Sequence, residues 1–94
     1  MRYTLRQLEV FLATAHFENV TKAADSLAMS QSAASGALKD LEQQFNFQLF
    51  DRIGKRLRVN DQGRNLRQKA EALMEQAREL EMEMINPQSI GDLN

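Results

Sequence analysis

The sequence predicts a mainly α-helical domain that carries a two-stranded hairpin and continues into one long helix. Apolar residues recur at helical spacing in three stretches between residues 4 and 46. Two short segments of β character flank a glycine turn at Gly54. Residues 61–86 then keep a helical pattern until Pro87, which disfavours helix in the residue before it. Three helices, a hairpin and a long helix in this order predict a winged helix-turn-helix followed by a linker helix.

The first helix is predicted from Leu5 to about His16. Thr4 is its expected N-cap, because Thr4 and Gln7 have the spacing of a capping box. In such a box each of the two side chains accepts a hydrogen bond from the backbone N–H of the other residue. The start of the first helix is therefore encoded locally.

The next two helices, between Asn19 and Phe45, form the predicted helix-turn-helix. Asn19 and Ser30 are the expected N-caps. Asn46 is the expected end of the third helix, because asparagine tolerates a left-handed backbone conformation. The outer face of this helix carries short polar residues and one lysine, a composition suited to a DNA major groove: Gln31, Ser32, Ser35, Gly36 and Lys39.

The hairpin, or wing, is predicted as strands 48–52 and 56–59 with a turn at 53–55. Gly54 is free to adopt a positive φ in this turn. The second segment alternates polar and apolar residues, as a half-buried strand does. Since an isolated hairpin is only marginally stable, the wing is expected to pack on the helices. Lys55 and Arg56 fall at its tip, where a narrow flanking minor groove attracts cations.

The long helix carries an apolar seam with the alternating spacing of a coiled coil: Leu66, Ala70, Leu73, Ala77, Leu80 and Met84. At ~1.5 Å per residue this seam is too long for so small a domain to cover. A homodimer interface is therefore favoured over the alternative, packing against the same domain. The helix starts basic and ends acidic, which favours antiparallel pairing, although each exposed charge pair contributes little.

The charge of the chain is divided between its two ends. The net charge of −1 argues against a nucleic-acid binder when taken alone. Residues 1–69, however, hold eleven Lys or Arg against seven Asp or Glu, a balance of +4. Residues 70–94 hold one Arg against six acidic residues, a balance of −5. This asymmetry is compatible with a basic face toward nucleic acid or with an ordinary charged surface.

Several classes of protein are disfavoured by what the 94 residues contain. No apolar run is long enough for a transmembrane helix, and no secretory signal precedes the first helix. Without cysteine there is no disulfide framework or thiolate metal site. The sole histidine, His16, has no partner at a catalytic spacing. A cytoplasmic, nucleoid-associated protein that is not an enzyme and needs no metal or cofactor is expected.

The joint pattern of residues resembles the LysR-type transcriptional regulators. The resemblance runs from Thr4 to about Met84 and includes Leu5-Arg6-Gln7-Leu8-Glu9-Val10-Phe11, Thr21-Lys22-Ala23-Ala24, Leu27-Ala28-Met29-Ser30-Gln31-Ser32-Ala33, Leu38-Lys39-Asp40-Leu41-Glu42, Leu49-Phe50-Asp51-Arg52 and Asp61-Gln62-Gly63. It implies a bacterial regulator with a DNA-binding domain (1–60), a dimerising linker helix (61–86) and a hinge (87–94) toward a missing effector-binding domain. That domain is expected to bind a small-molecule inducer, and the full-length protein is expected to be a dimer or a tetramer.

The recognition helix departs from the family pattern. Ser32 replaces a frequent proline, while Gly36 and Ala37 replace an Arg-Gln pair. The threonine at the end of the family's wing is here Asn60, which still caps a helix. Loss of the arginine removes a bidentate contact to guanine or phosphate. Gly36 costs ~1 kcal/mol relative to Ala inside a helix, and is explained either by close approach to DNA or by drift.

The expected ligand is double-stranded DNA with an A/T-rich, interrupted inverted repeat. Gln31 is the first choice for base contact, since its amide can bond adenine N6 and N7 together. The other expected base contacts are Ser32, Ser35 and Gly36, and the expected phosphate contacts are Thr21, Lys22, Ser30, Lys39 and Arg52. Arg52 is equally explained as a structural ion-pair partner. The alternative function is a winged-helix protein-interaction module that dimerises through the long helix without specific DNA binding.

Overall fold

The computed structural model describes residues 2–86 and has the predicted mainly helical, winged helix-turn-helix architecture. Its elements follow one another as α1 (Leu5–Phe17), α2 (Val20–Ser26), α3 (Gln31–Phe45), β1 (Phe50–Ile53), β2 (Arg56–Val59) and α4 (Asp61–Ile85). The first three helices and the antiparallel β1–β2 hairpin form the body. Helix α4 extends from it, and the described part of the chain measures 58 × 25 × 21 Å.

The predicted helix caps are confirmed. Thr4 and Gln7 form both bonds of the capping box, with Gln7 N donating to Thr4 Oγ1 at 3.1 Å and Thr4 N donating to Gln7 Oε1 at 3.0 Å. The side chains of Asn19, Ser30 and Asn60 accept bonds of 2.9, 3.0 and 2.8 Å from backbone N–H groups of α2, α3 and α4, respectively. Asn46 ends α3 with a φ of 56°. Each cap satisfies an N–H or carbonyl that the helix itself leaves unpaired.

The core joins α1 to the wing. Phe11 and Phe50 are buried, with ring centroids 5.6 Å apart, and Leu49 is buried beside them. The turn between α2 and α3 is held by Arg6, whose Nη2 donates to the carbonyl oxygen of Leu27 at 3.2 Å. Ala28 completes this turn at a φ of 55°. Apolar packing therefore ties the wing to α1, and the Arg6 side chain ties the turn of the helix-turn-helix to α1.

The first strand differs from the prediction at both ends. β1 begins at Phe50 instead of residue 48, because the backbone N–H of Leu49 donates to the Glu42 carboxylate at 2.8 Å. Ile53 pairs with Arg56 and so belongs to the strand, which leaves Gly54 and Lys55 as a two-residue turn. Gly54 has a φ of 62°, and such short hairpin turns require a positive φ at a loop residue.

The first part of the predicted seam on α4 packs against its own chain. Ala70 is only 2 % exposed and belongs to the core, and Leu66 packs against the same cluster. The exposed part of the seam therefore begins at Leu73. Helix α4 ends at Ile85, and Pro87 and the predicted hinge 87–94 lie outside the described residues. Between residues 2 and 86, no helix is long and apolar enough to cross a membrane.

Candidate nucleic-acid interface

Helix α3 presents a polar face to solvent because its apolar face is anchored in the body. Ala34, Leu38 and Leu41 are buried. Of the predicted base contacts on the opposite side, Gln31, Ser32 and Gly36 are exposed and Ser35 is half-buried: these four residues form the outer face of α3. Ser30, a predicted phosphate contact, is exposed at the start of the helix, and its hydroxyl already caps α3.

Two of the predicted base contacts are hydrogen-bonded to each other. Gln31 Nε2 donates to Ser35 Oγ at 2.8 Å, one helical turn away. A glutamine amide has two N–H donors and one carbonyl oxygen. With one N–H bonded to Ser35, the other N–H and the oxygen are still available for adenine N7 and N6. The bond therefore orients the amide without using the groups that base contact needs.

Gly36 is not required by the protein itself. A Cβ at this position would have no heavy atom within 4 Å, apart from the helix's own neighbouring backbone. Gly63 in α4 is different, because a Cβ there would collide with the carbonyl oxygen of Leu49. Packing within the domain thus explains the glycine at 63 and leaves the glycine at 36 unexplained.

A surface cleft of about 360 Å³ lies between α3 and the wing. It brings together Ser35 and Lys39 of α3 with Arg52 of β1, three of the predicted DNA contacts. Lys39 and Arg52 are exposed, and neither forms an ion pair with residues 2–86. The alternative explanation of Arg52 as a structural ion-pair partner finds no support there.

The other predicted phosphate contacts lie at the start of α2. Thr21 and Lys22 are exposed, and the backbone N–H of Lys22 is already bonded to the Asn19 side chain. Their hydroxyl and ammonium groups, more than the backbone N–H of Lys22, are therefore the groups available for a phosphate.

Besides Arg52, the wing presents one further cation without an ion pair among the described residues and two paired cations. Lys55 is exposed in the turn, without an ion pair among the described residues. Arg56 binds the Glu18 carboxylate through Nε at 2.8 Å and also through Nη2, and Arg58 Nε approaches the same carboxylate at 3.5 Å. Sequence reasoning missed Glu18 and Arg58. Arg58 follows Arg56 by two residues, so the alternation of a strand already places both on one face. Glu18 precedes Arg56 by 38 residues, so no local pattern indicates their contact.

The distal half of α4 exposes an apolar stripe. Leu73, Leu80 and Met84 are 39, 62 and 69 % exposed, whereas Ala77 is half-buried. An apolar groove of about 320 Å³ lies where α4 leaves the body, lined by residues that include Tyr3, Phe45, Phe47, Lys69 and Leu73. Three exposed large apolar side chains along one face of a helix are unusual for a surface that faces only water.

Nothing in the described residues resembles a catalytic or metal centre. His16 packs edge-on against Phe17, with ring centroids 4.8 Å apart. No group of three or more His, Cys, Asp or Glu side chains between residues 2 and 86 is arranged to hold a metal ion.

Comparison with known proteins identifies the family. Residues 5–64 match the model of the bacterial regulatory helix-turn-helix proteins of the LysR family. The chain is 57 % identical over 81 residues to the uncharacterised HTH-type transcriptional regulator YeiE of Escherichia coli K12, covering 86 % of this chain and 28 % of that protein. Such relatives are named as transcriptional regulators and not as enzymes.

Two solved structures have the same fold. The BenM DNA-binding domain in complex with benA site 1 DNA superposes with a TM-score of 0.82 at 27 % identity, covering 92 % of this chain and 97 % of that one. The oxidised form of Corynebacterium glutamicum OxyR gives a TM-score of 0.86 at 28 % identity, covering 94 % of this chain and 27 % of that one. The chain thus belongs to the LysR family of bacterial regulatory helix-turn-helix proteins and carries its winged helix-turn-helix domain.

Proposed function

We propose that this domain binds double-stranded DNA as a homodimer and thereby regulates bacterial transcription. Helix α3 enters the major groove and the wing lies at the flanking minor groove. The observation that carries the proposal is the outer face of α3, which is polar, exposed and continuous with the cleft that holds Lys39 and Arg52. The BenM domain, which has the same fold and was solved in complex with DNA, supports double-stranded DNA as the ligand.

The specific contacts follow from the chemistry of the outer face. Gln31 bonds adenine, with its amide held by Ser35. Ser32 and Ser35 offer hydroxyl groups that both donate and accept, so they discriminate weakly between bases. Lys39, Arg52, Thr21 and Lys22 contact phosphates, which position the protein on the duplex without selecting its sequence. Because the face carries no arginine, specificity depends in part on half-site spacing and on the shape of an A/T-rich, interrupted inverted repeat.

The homodimer forms through antiparallel α4 helices. The exposed stripe of Leu73, Leu80 and Met84 supplies the apolar contact. Arg67 and Lys69 lie near the start of the helix and Glu79 and Glu81 near its end. Antiparallel pairing turns the basic start of each helix toward the acidic end of its partner, whereas parallel pairing sets like charges side by side.

The apolar groove at the base of α4 supports this direction of pairing. If two antiparallel helices cross at Ala77, the partner's Met84 lies opposite Ala70, since both are seven residues from the crossing point. Ala70 lines the groove together with Tyr3, Phe45 and Leu73. The apolar end of one α4 therefore fills the groove of the other subunit, and the pairing removes both apolar surfaces from water.

The chain spans about 28 % of the length of YeiE, the relative described above. The remaining part of such a regulator is proposed to bind a small-molecule inducer and to permit assembly beyond the dimer, up to a tetramer. The place of action is the cytoplasm, at the nucleoid, because the duplex that it binds is there. The domain itself is proposed to need no metal or cofactor for binding DNA.

A salt titration of duplex binding tests the proposal. If each subunit neutralises about three phosphates, a plot of the logarithm of the association constant against the logarithm of the salt concentration has a slope near −5 for a dimer. Fluorescence anisotropy with a labelled random duplex between low and moderate salt measures this slope. A slope near zero, or no binding at low salt, contradicts DNA binding and favours a module that only dimerises. Selection from random duplexes then checks the dimer, because a single unpaired half-site is incompatible with it.

A further inference from the structure

Glu18, the residue after α1, has an unfavourable backbone conformation. Its φ of 56° and ψ of 28° are left-handed, and its backbone N–H closes the helix on the carbonyl of Thr14 at 2.8 Å. Residues with a Cβ disfavour this region. Such an outlier persists only where other interactions hold it.

Glu18 binds the wing through both its backbone and its side chain. Its carbonyl oxygen accepts a hydrogen bond from Leu57 N at 3.0 Å, on β2. Its carboxylate accepts from Arg56 Nε at 2.8 Å and from Arg56 Nη2, and lies 3.5 Å from Arg58 Nε. Three cations lie in the turn and second strand of the wing. Glu18 holds its carboxylate against two of them, Arg56 and Arg58, and not against Lys55.

The pairing has an electrostatic consequence for DNA binding. Arg56 and Arg58 expose 69 and 58 % of their side chains, so phosphates can reach both. While they are paired, the carboxylate offsets part of their positive charge. Lys55, Lys39 and Arg52 have no such partner in the described chain. Within the wing, Arg56 and Arg58 are therefore the cations that must exchange or share an existing ion pair in order to bind a phosphate.

We propose that Glu18 is an intramolecular competitor of the DNA phosphates for Arg56 and Arg58. This inference rests on the proposed DNA binding. Competition lowers the sequence-independent, electrostatic part of the affinity, because that part depends on the number and availability of cations. Every duplex carries phosphates, so the competitor lowers the affinity for operator and random DNA by a similar factor, while the base contacts of the outer face of α3 are not affected.

The expected effect is moderate. Exposed ion pairs are individually weak, so a DNA phosphate can displace the carboxylate. With two wings in a dimer, removal of the competitor is expected to tighten binding to a random duplex by about three- to tenfold at low salt. The effect is expected to shrink as salt rises, since both the ion pair and the phosphate contact are screened.

The test compares Glu18→Gln with Glu9→Gln in the dimeric protein. Both substitutions remove one negative charge, but Glu9 pairs with Arg6 at 3.3 Å, away from the wing. We expect E18Q to tighten random-duplex binding by the stated factor and E9Q to change it less than twofold. The glutamine keeps the length of the side chain, so the left-handed backbone and the Leu57 bond are undisturbed. Thermal melting of each variant checks that the fold is retained.

A cycle with the arginines isolates the cause. In a protein that carries Arg56→Ala and Arg58→Ala, E18Q should no longer tighten binding, because the competed cations are absent. If E18Q unfolds the wing, Glu18→Gly replaces it, since glycine adopts the same φ without strain. Equal or weaker random-duplex affinity of E18Q overturns the proposal and makes Glu18 a positioning residue only. Absence of DNA binding by the unaltered protein removes the proposed function as well, so the two failures are distinguishable.

Discussion

Substitution of Gly36 by alanine should change the stability of the domain and its affinity for DNA in opposite directions. Gly36 lies inside α3, is exposed, and leaves open space where a Cβ would be. Glycine is less favourable than alanine in a helix interior by ~0.5–1 kcal/mol. The free domain is therefore expected to gain about this free energy of unfolding. For a domain of this size, 1 kcal/mol corresponds to a rise in Tm of about 4–8 °C.

The same substitution should weaken specific DNA binding. If the α3 backbone approaches the base edges at Gly36, the added methyl group occupies space that the DNA needs. Overpacking of a close contact costs ~1–3 kcal/mol, which is about 5- to 150-fold in Kd. Circular dichroism melting gives the stability, and anisotropy with a selected operator and with a random duplex gives the two affinities. The loss should be larger on the operator than on the random duplex.

Gly63→Ala is the matched control, since it adds the same methyl group to a helical glycine. Its Cβ would collide with the Leu49 carbonyl, so the Tm should fall instead of rising. Two results would refute the reasoning about Gly36. A G36A protein that is not stabilised contradicts the open space around the residue. A stabilised G36A protein that binds the operator as tightly as the unaltered protein contradicts backbone contact with DNA and leaves drift as the explanation.

Three further predictions concern the wing junction, the dimer and the cleft. Asn60→Ala removes a helix cap and the 2.9 Å bond to the Gln48 carbonyl, so the free energy of unfolding in urea should fall by ~1–2 kcal/mol with an unchanged m-value. Leu80→Glu should weaken dimerisation about 100-fold or more, because each subunit loses an apolar contact that contributes ~1.5 kcal/mol or more to the dimer. Analytical ultracentrifugation measures this change. Ala72→Glu is the control, since Ala72 is exposed outside the seam, and should leave dimerisation unchanged. Lys39→Gln should reduce the magnitude of the salt slope by ~1 for each subunit, and an unchanged slope would exclude Lys39 from phosphate contact.

Local signals explain why most of the fold was predictable. The caps at Thr4, Asn19, Ser30 and Asn60 each depend on a side chain and a backbone N–H three residues later, so spacing alone identifies them. The start of the first strand was mislocated because it depends on a contact outside the hairpin. The Glu42 carboxylate, on α3, takes the N–H of Leu49 and thereby delays the start of β1.

Long-range contacts explain what sequence reasoning could not predict. The seam on α4 has one uninterrupted heptad pattern, but its first part packs on the body and only the distal part is exposed. Periodicity shows which residues share a face and does not show what covers that face. The ion pairs of Glu18 with Arg56 and Arg58 join residues far apart in the chain, so neither composition nor spacing indicates them.

The outer face of α3 and the Glu18 ion pairs contribute differently to DNA binding. Discrimination between an operator and other DNA is a ratio of affinities, so it depends on contacts that differ between the two and not on phosphate contacts that both make. The outer face offers only Gln31 and two hydroxyl groups for direct contact. Freely available Arg56 and Arg58 would strengthen binding to every sequence by a similar factor and leave this ratio unchanged. Pairing of Arg56 and Arg58 with Glu18 limits that sequence-independent contribution, so the acidic residue beside the wing lowers the overall affinity while the outer face of α3 sets the discrimination.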